Sequence, residues 1–299
     1  RLRAGTVPLK FLCPAGCHAA GHFCIALQEE IIMKKILIST NMYKGSEFGQ
    51  ILPYLKRFSG QVGVEVFPMF HEECFEKNLR DAMPLLKEVP VSFHGPYYQA
   101  EHSAAEGTVE YARTMELLEK TLSYAKELSS KYLVYHHNNC RIIPGEKEDR
   151  VRVSCENYYT VKQLCEEAGT QVVVENAGVL ERGNRLFDEQ EFIDLCRREQ
   201  YAVLIDIGHA WANGWSLKRV VNALADQIVA YHLHNNDGVH DSHQRIHEGT
   251  LDFDGFLKLA KQATPDAEWV MEYAMDVSGN VRGIEEDLQF LLKMGSAAR

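Results

Sequence analysis

From residue 33 onward the chain alternates short, β-branched apolar runs with longer stretches of helical periodicity, and it does so eight times. The runs are KILIST (35–40), VGVEVF (62–67), VSFH (91–94), YLVYHH (132–137), QVVVEN (171–176), AVLIDI (202–207), IVAYHLH (228–234) and EWVMEY (268–273). They read as continuous runs rather than strict alternation, the pattern of parallel strands covered on both faces. Between them, TVEYARTMELLEKTLSYAKELSS (108–130) places apolar residues at three- and four-residue steps. EDRVRVSCENYYTVKQLCEEAG (148–169) is helical and ends on a glycine stop. FDEQEFIDLCRREQ, LKRVVNALAD, LDFDGFLKLAKQA and VRGIEEDLQFLLKMG fill the later gaps, with Asp188, Asp252 and Asp254 as expected N-caps. Eight β-then-α units in about 265 residues predict one closed α/β domain over residues 33–299, a (β/α)8 TIM barrel. The alternative is an open doubly wound sheet, but STNMYKGSEFG after the first strand is a poor Gly-rich phosphate loop.

Residues 1–32 read differently. They begin at Arg1, have neither helical nor strand periodicity, and lack the order of a signal peptide. They are expected to be a disordered or non-native N-terminal extension. Gln28-Glu29-Glu30 can be encoded by codons containing AGGAG, a bacterial ribosome-binding sequence, which would make Met33 the natural start. The rival is a zinc knuckle from Cys13, Cys17, His18, His22 and Cys24, whose spacings match no common structural zinc framework.

The net charge of −10 disfavours nucleic acid, whose binding rests on Lys and Arg displacing counterions. Bound metals would neutralise some of those carboxylates. No run reaches the about 18 apolar residues of a membrane span. Cys74, Cys140, Cys155, Cys165 and Cys196 are scattered, as reduced thiols of a cytoplasmic protein are.

The segment YHLHNNDGVHDSHQRIHEG (231–249) gathers five histidines and three carboxylates. Similar donors close the other expected strands: His94 on the third, His136-His137 on the fourth, Glu175 on the fifth. Asp206 ends the sixth, with His209 just after. His234 ends the seventh, followed by Asp241 and His243, and Glu272 ends the eighth. In a closed barrel these ends converge on one mouth. Mixed nitrogen and oxygen donors suit Zn, Mn, Co or Fe better than Ca or an iron–sulfur cluster. Glu175, Asp206, His234 and Glu272 interrupt apolar runs, and burying each unpaired costs roughly 2–7 kcal/mol. Four such burials would consume a typical stability of about 5–15 kcal/mol, which a shared metal ion relieves.

Adjacent strand residues face opposite sides, so one of His136 and His137 should reach the mouth. His232 is expected to face the helix layer, and His240 and His247 to support the ligands from behind. His71 and His102 read as solvated. Arg141 and Arg245 fall near the mouth and suit a phosphate or carboxylate on a small substrate.

FHGPYY, VVVENAG, LIDIGHA, LHNNDGVHDSHQRIHEGTLDF and VMEY stand in this order along the chain. In them the body from about Met33 to the C-terminus resembles the xylose-isomerase-like TIM-barrel superfamily. That group contains sugar and sugar-phosphate isomerases and epimerases, and the apurinic/apyrimidinic (AP) endonucleases of family 2. The resemblance implies a core divalent metal, Mn, Zn, Co or Mg, on Glu175, Asp206, His234 and Glu272. It implies proton transfer by Glu175 and Glu272, and substrate contacts from His94 and His209, to which Arg245 is added as an expected substrate-binding residue. It also implies further metal donors in His94, His136, His209, Asp241 and His243, as in the endonucleases. IHEG departs from the Gly-rich form of the nucleases, and no loop is both basic and aromatic. The expected function is metal-dependent isomerisation or epimerisation of a sugar, sugar phosphate or polyol derivative, by proton transfer α to a carbonyl. The alternatives are a lyase or dehydratase of the same superfamily and a zinc-dependent AP endonuclease. The expected partners are a small carbohydrate substrate and further copies of the chain, with neither nucleic acid nor membrane.

Overall fold

The eight apolar runs become eight parallel strands that close in chain order. They are β1 (Ile36–Ser39), β2 (Val62–Val66), β3 (Val91–His94) and β4 (Tyr132–Tyr135), then β5 (Gln171–Glu175), β6 (Val203–Asp206), β7 (Ile228–Leu233) and β8 (Glu268–Met271). β1 pairs with both β2 and β8, which completes the ring. This computed structural model describes residues 36–296. The extension expected at residues 1–32, with its Cys/His cluster, lies outside the described residues.

Nine helices surround the strands among the described residues. They are α1 (Leu52–Arg57), α2 (Phe75–Leu86), α3 (Val109–Glu127), α4 (Lys147–Ala168), α5 (Glu189–Glu199), α6 (Ile207–Ala212), α7 (Leu217–Ala223), α8 (Phe253–Ala263) and α9 (Val281–Ser296). One unit carries two helices: α6 starts directly from β6, with the Asp206 carboxylate accepting from His209 N. Asp188 caps α5 in a capping box with Glu191, and Asp252 caps α8. Asp254, expected as a cap, lies instead in the first turn of α8, where its charge suits the helix dipole. None of these helices is long and apolar enough to cross a membrane.

The two faces of each strand do different jobs. Outward residues such as Ile38, Val64, Phe93, Leu133 and Tyr135 join the helices in one large apolar core. Inward, a small cluster of Leu37, Tyr132, Val134, Val173, Leu204, Ala230 and Val270 plugs the barrel. Two residues further along the same inward faces the side chains turn polar, because residues two apart share a face. Val134 leads to His136, Val173 to Glu175, Leu204 to Asp206, Ala230 to His232 and Val270 to Glu272. Each of these five strands, β4 to β8, therefore presents a donor above an apolar floor.

Candidate metal centre

Glu175, 3% exposed, is the hub. Its Oε2 lies 2.9 Å from His136 Nε2, 3.7 Å from His94 Nε2 and 3.5 Å from His232 Nδ1. Its Oε1 lies 3.1 Å from His209 Nδ1. His232 Nδ1 in turn faces Glu272 Oε2 at 3.1 Å and Asp206 Oδ2 at 3.7 Å. Beyond Asp206, His234 Nε2 sits 2.9 Å from its Oδ1. Asp241 completes that side, with Oδ2 3.3 Å from His209 Nε2 and Oδ1 3.1 Å from His243 Nε2. The donors thus form adjoining groups that share carboxylates: His94, His136 and Glu175; Glu175, Asp206 and His232; and Asp206, His209, His234 and His243.

The residues fit divalent cations. Nδ1 of His209, Nδ1 of His232 and Oδ1 of Asp241 are buried and make no hydrogen bond, although an opposite group stands 3.1–3.3 Å from each residue. Donors that crowd together without bonding one another suit an ion between them; otherwise each orphaned polar atom costs free energy. Imidazole and carboxylate together favour Zn, Mn or Co. Burial alone would push the carboxylates up, but His136 and His232 hold Glu175 well below the usual range, and His232 and His243 hold Glu272 down to about 2. Both are ionised, the state in which they can ligate.

A set of backing hydrogen bonds selects which imidazole nitrogen faces the centre. His232 donates Nε2–H to Glu65 Oε1 at 2.9 Å, which leaves the Nδ1 lone pair inward. His94 Nδ1 donates to Gly95 O at 2.7 Å and His243 Nδ1 to Glu272 O at 3.0 Å, which turn Nε2 inward in both. His136 Nδ1 meets Asn139 Oδ1 at 2.9 Å. Asn139 is itself fixed, its Nδ2 donating to Ala100 O at 2.9 Å and its backbone N to Glu101 Oε2 at 3.1 Å. At Gly208 an added Cβ would stand 1.9 Å from His234 Cε1, so glycine makes the room for that ring.

Above the centre opens a cavity of about 260 Å³. Phe67, Tyr97 and Tyr98 form an aromatic wall, Asn41, Asn138 and Asn184 add amides, and Arg182 stands at the edge.

The family described as xylose isomerase-like TIM barrel matches residues 48–294. The chain belongs to the xylose isomerase-like TIM-barrel family. The uncharacterized protein MJ1614 of Methanocaldococcus jannaschii is 24% identical over 151 residues, 50% of this chain and 57% of that protein, so the chain spans little more than half of this relative. A D-tagatose 3-epimerase-like protein has a similar structure, with a TM-score of 0.69 at 18% identity, over 89% of this chain and 100% of the other. The IOLI protein with a bound zinc atom gives 0.67 at 14% identity, over 88% and 96%. Other matching structures are sugar 3-epimerases. At these identities the structural likeness shows the fold alone.

Within this xylose isomerase-like barrel most expected ligands converge, with several corrections. His136, not His137, reaches the mouth: His137 packs against Phe187 and Tyr158, with Nδ1 3.0 Å from Ser154 Oγ. His232 does not face the helix layer. It shares the inward face with Ala230 and takes the place expected for His234, opposite Glu175 and Glu272. His234 stacks on His243, ring centroids 3.7 Å apart, and serves Asp206 instead. Arg245 is not at the cavity; it grips Asp287 at 2.8 and 2.9 Å and donates to Gly283 O. Arg141 packs along the backbone of Gly183. His240 and His247 are surface residues paired with Asp237 and Asp254, away from the ligands. His102, expected to be solvated, is buried against Tyr135, whereas His71 is exposed.

Two residues escaped the sequence reading. Glu65 was visible as a carboxylate inside VGVEVF, the same anomaly that singled out Glu175. Arg182 left no such mark, because an arginine in a loop is ordinary.

Proposed function

We propose that this protein is a divalent-metal-dependent isomerase or epimerase, moving a proton α to the carbonyl of a sugar or polyol derivative. One observation carries the reading: the buried carboxylates of Glu175 and Glu272, from β5 and the end of β8, both line a small cavity and both face His232 Nδ1 beneath it. The cavity's volume of about 260 Å³ lies just under the roughly 300–1,000 Å³ of small-molecule pockets, a size for a single sugar.

Glu175, Asp206, His232 and Glu272 would hold the metal. When bound, a divalent cation supplies Lewis acidity at the carbonyl and neighbouring hydroxyl oxygens. Glu175 and Glu272 approach from different strands, so one removes the proton from carbon and the other returns it. His209, whose ring faces both Glu175 and Asp241, orients a substrate oxygen. The amides of Asn41 and Asn184 offer further hydroxyl contacts.

The test is exchange of a carbon-bound hydrogen from D2O into a panel of ketohexoses by metal-loaded protein, followed by NMR. Glu272→Gln, with metal content verified, should slow exchange by roughly 10²–10⁴-fold. Full exchange in that variant would remove Glu272 from proton transfer, and no exchange into any ketose would count against the reaction itself.

A second reading is favoured by one observation. The adjoining donor groups share Glu175 and Asp206 as bridges, an arrangement suited to several clustered ions. Clustered ions stabilise the attacking and leaving oxygens of phosphodiester hydrolysis. Three zinc ions per chain together with cleavage of abasic duplex DNA would favour this endonuclease chemistry over the isomerase.

A further inference from the structure

We propose that the substrate carries an anionic group, a phosphate or a carboxylate, and that Arg182 holds it at the rim of the cavity. The proposal rests on the isomerase reading for the sugar, and on Arg182 itself for the anion.

Arg182 is the one lysine or arginine lining the cavity among the described residues. Its side chain is 47% exposed, whereas those of Glu175, His136 and Glu272 are at most 8% exposed. Positive charge at the rim and proton-transfer groups on the floor suit a sugar that reacts at one end and is anchored at the other. Arg182 places Nη1 3.0 Å from Asp241 Oδ2, and Nη2 donates to Asp241 O at 2.6 Å. A guanidinium carries five N–H donors, so these contacts leave donors for a bidentate anion.

Asp241 also faces His209 and His243 in the donor cluster. Once it ligates a cation, its charge is committed there, and the guanidinium presents an unbalanced charge to the cavity. Without the cation, the Asp241 carboxylate balances the guanidinium through their 3.0 Å ion pair. Anion binding should therefore require the loaded centre.

The loop that carries Arg182 is built to hold it in place. Gly178 has φ +84°, and a Cβ there would meet Asn184 O at 2.6 Å. Val179 N donates to Asn184 Oδ1 at 2.9 Å, Leu180 N to Asn213 Oδ1 at 2.9 Å, and Gly183 N to Leu180 O at 3.0 Å. Fixing the arginine before binding removes much of the entropy cost of ordering it. Tyr98, 37% exposed, lines the same cavity from the loop after β3 and adds a hydroxyl.

The test is calorimetric binding of D-fructose, D-fructose 6-phosphate and D-glucuronate to metal-loaded and metal-free protein. At least one anionic sugar should bind the loaded protein tenfold or more tightly than D-fructose, and which one does so identifies the group. R182A should weaken that sugar by roughly tenfold to a hundredfold. R182K should keep part of the affinity, since it keeps the charge without the planar fork. Metal per chain and melting temperature are measured on each variant, and R182Q replaces R182A if the latter does not fold. Equal binding of all three sugars, or an anion preference that survives R182A, overturns the proposal, the latter because it would place the anion elsewhere. Deuterium exchange from D2O reads the chemistry separately. Arg182-dependent anion binding without exchange leaves Arg182 its role and removes the isomerase reading. Exchange into D-fructose with no anion preference does the reverse.

Discussion

Glu65 Oε1 and His232 Nε2 meet at 2.9 Å inside the barrel, both residues completely shielded from solvent. The bond joins β2 to β7 across the interior and sets which nitrogen of His232 is free. Partners of this kind typically carry roughly 10–100-fold in metal affinity. Glu65→Gln keeps the volume and removes the charge, so it should lower affinity in that range. Competition with a chromophoric chelator measures this, and an unchanged affinity would show that Glu65 is only packing.

Asn139 should matter for metal number rather than for the whole site. Its Oδ1 receives His136 Nδ1–H, and His136 belongs to the group with His94 and Glu175. Asn139→Ala frees that ring while leaving Glu175, Asp206, His232 and Glu272 untouched. Elemental analysis should find fewer ions per chain than in the wild type, with the tightest ion retained. Identical stoichiometry would remove the role.

The cation-free protein should lose stability in alkali. Burial alone would lower His243, but Asp241 beside it raises it to about 9. A group raised in the folded state stabilises fully below its ordinary value of 6.5 and ceases to do so as pH rises through about 9. The melting temperature of metal-free protein should therefore fall between about pH 7 and 10, and Asp241→Asn should flatten that decline. Loading the centre should flatten it as well, because an imidazole that ligates has already given up the proton it would lose in that range.

In acid the sign reverses at two other histidines. Burial holds His102 and His137 near 3, so both are neutral in the fold. Their contribution is complete above 6.5 and is lost as pH falls toward 3, with a slope of about 1.4 kcal/mol per pH unit for each. His137→Phe should move the acid-unfolding midpoint by circular dichroism to lower pH. A midpoint that stays in place would show that other groups govern acid unfolding.

Gly208→Ala should act through a single ring. Its Cβ would fall on His234, which bonds both oxygens of Asp206 at 2.9 Å. The expected cost is about 1–3 kcal/mol of stability, as for other overpacked interiors. A melting curve identical to wild type would mean that the ring moves aside freely.

All eight strands could be read in the sequence because their burial on both faces leaves long apolar runs, and the donors stood out by interrupting them. What misled was the finer geometry. His232 and His234 are two residues apart and so lie on one face, and it is His232, one residue inside the end of β7, that stands opposite Glu272. Arg245 stood near the ligands in the sequence, yet Asp287, far along the chain on α9, draws it away. Which arginine reaches the cavity depends on loop conformation, and no periodicity encodes that. Glu65 is legible as a carboxylate within an apolar run, but it stands one residue inside the end of β2 and not at the terminal position where the other donors draw attention.

The division of each strand into an outward face that holds the helices and an inward face that carries donors has an evolutionary consequence. Substitutions on one side scarcely disturb the other, so inward residues can be exchanged, and new reactions acquired, while the scaffold persists. That independence gives a physical reason why neighbours of the same shape can share as little as 13–18% of their residues with this chain.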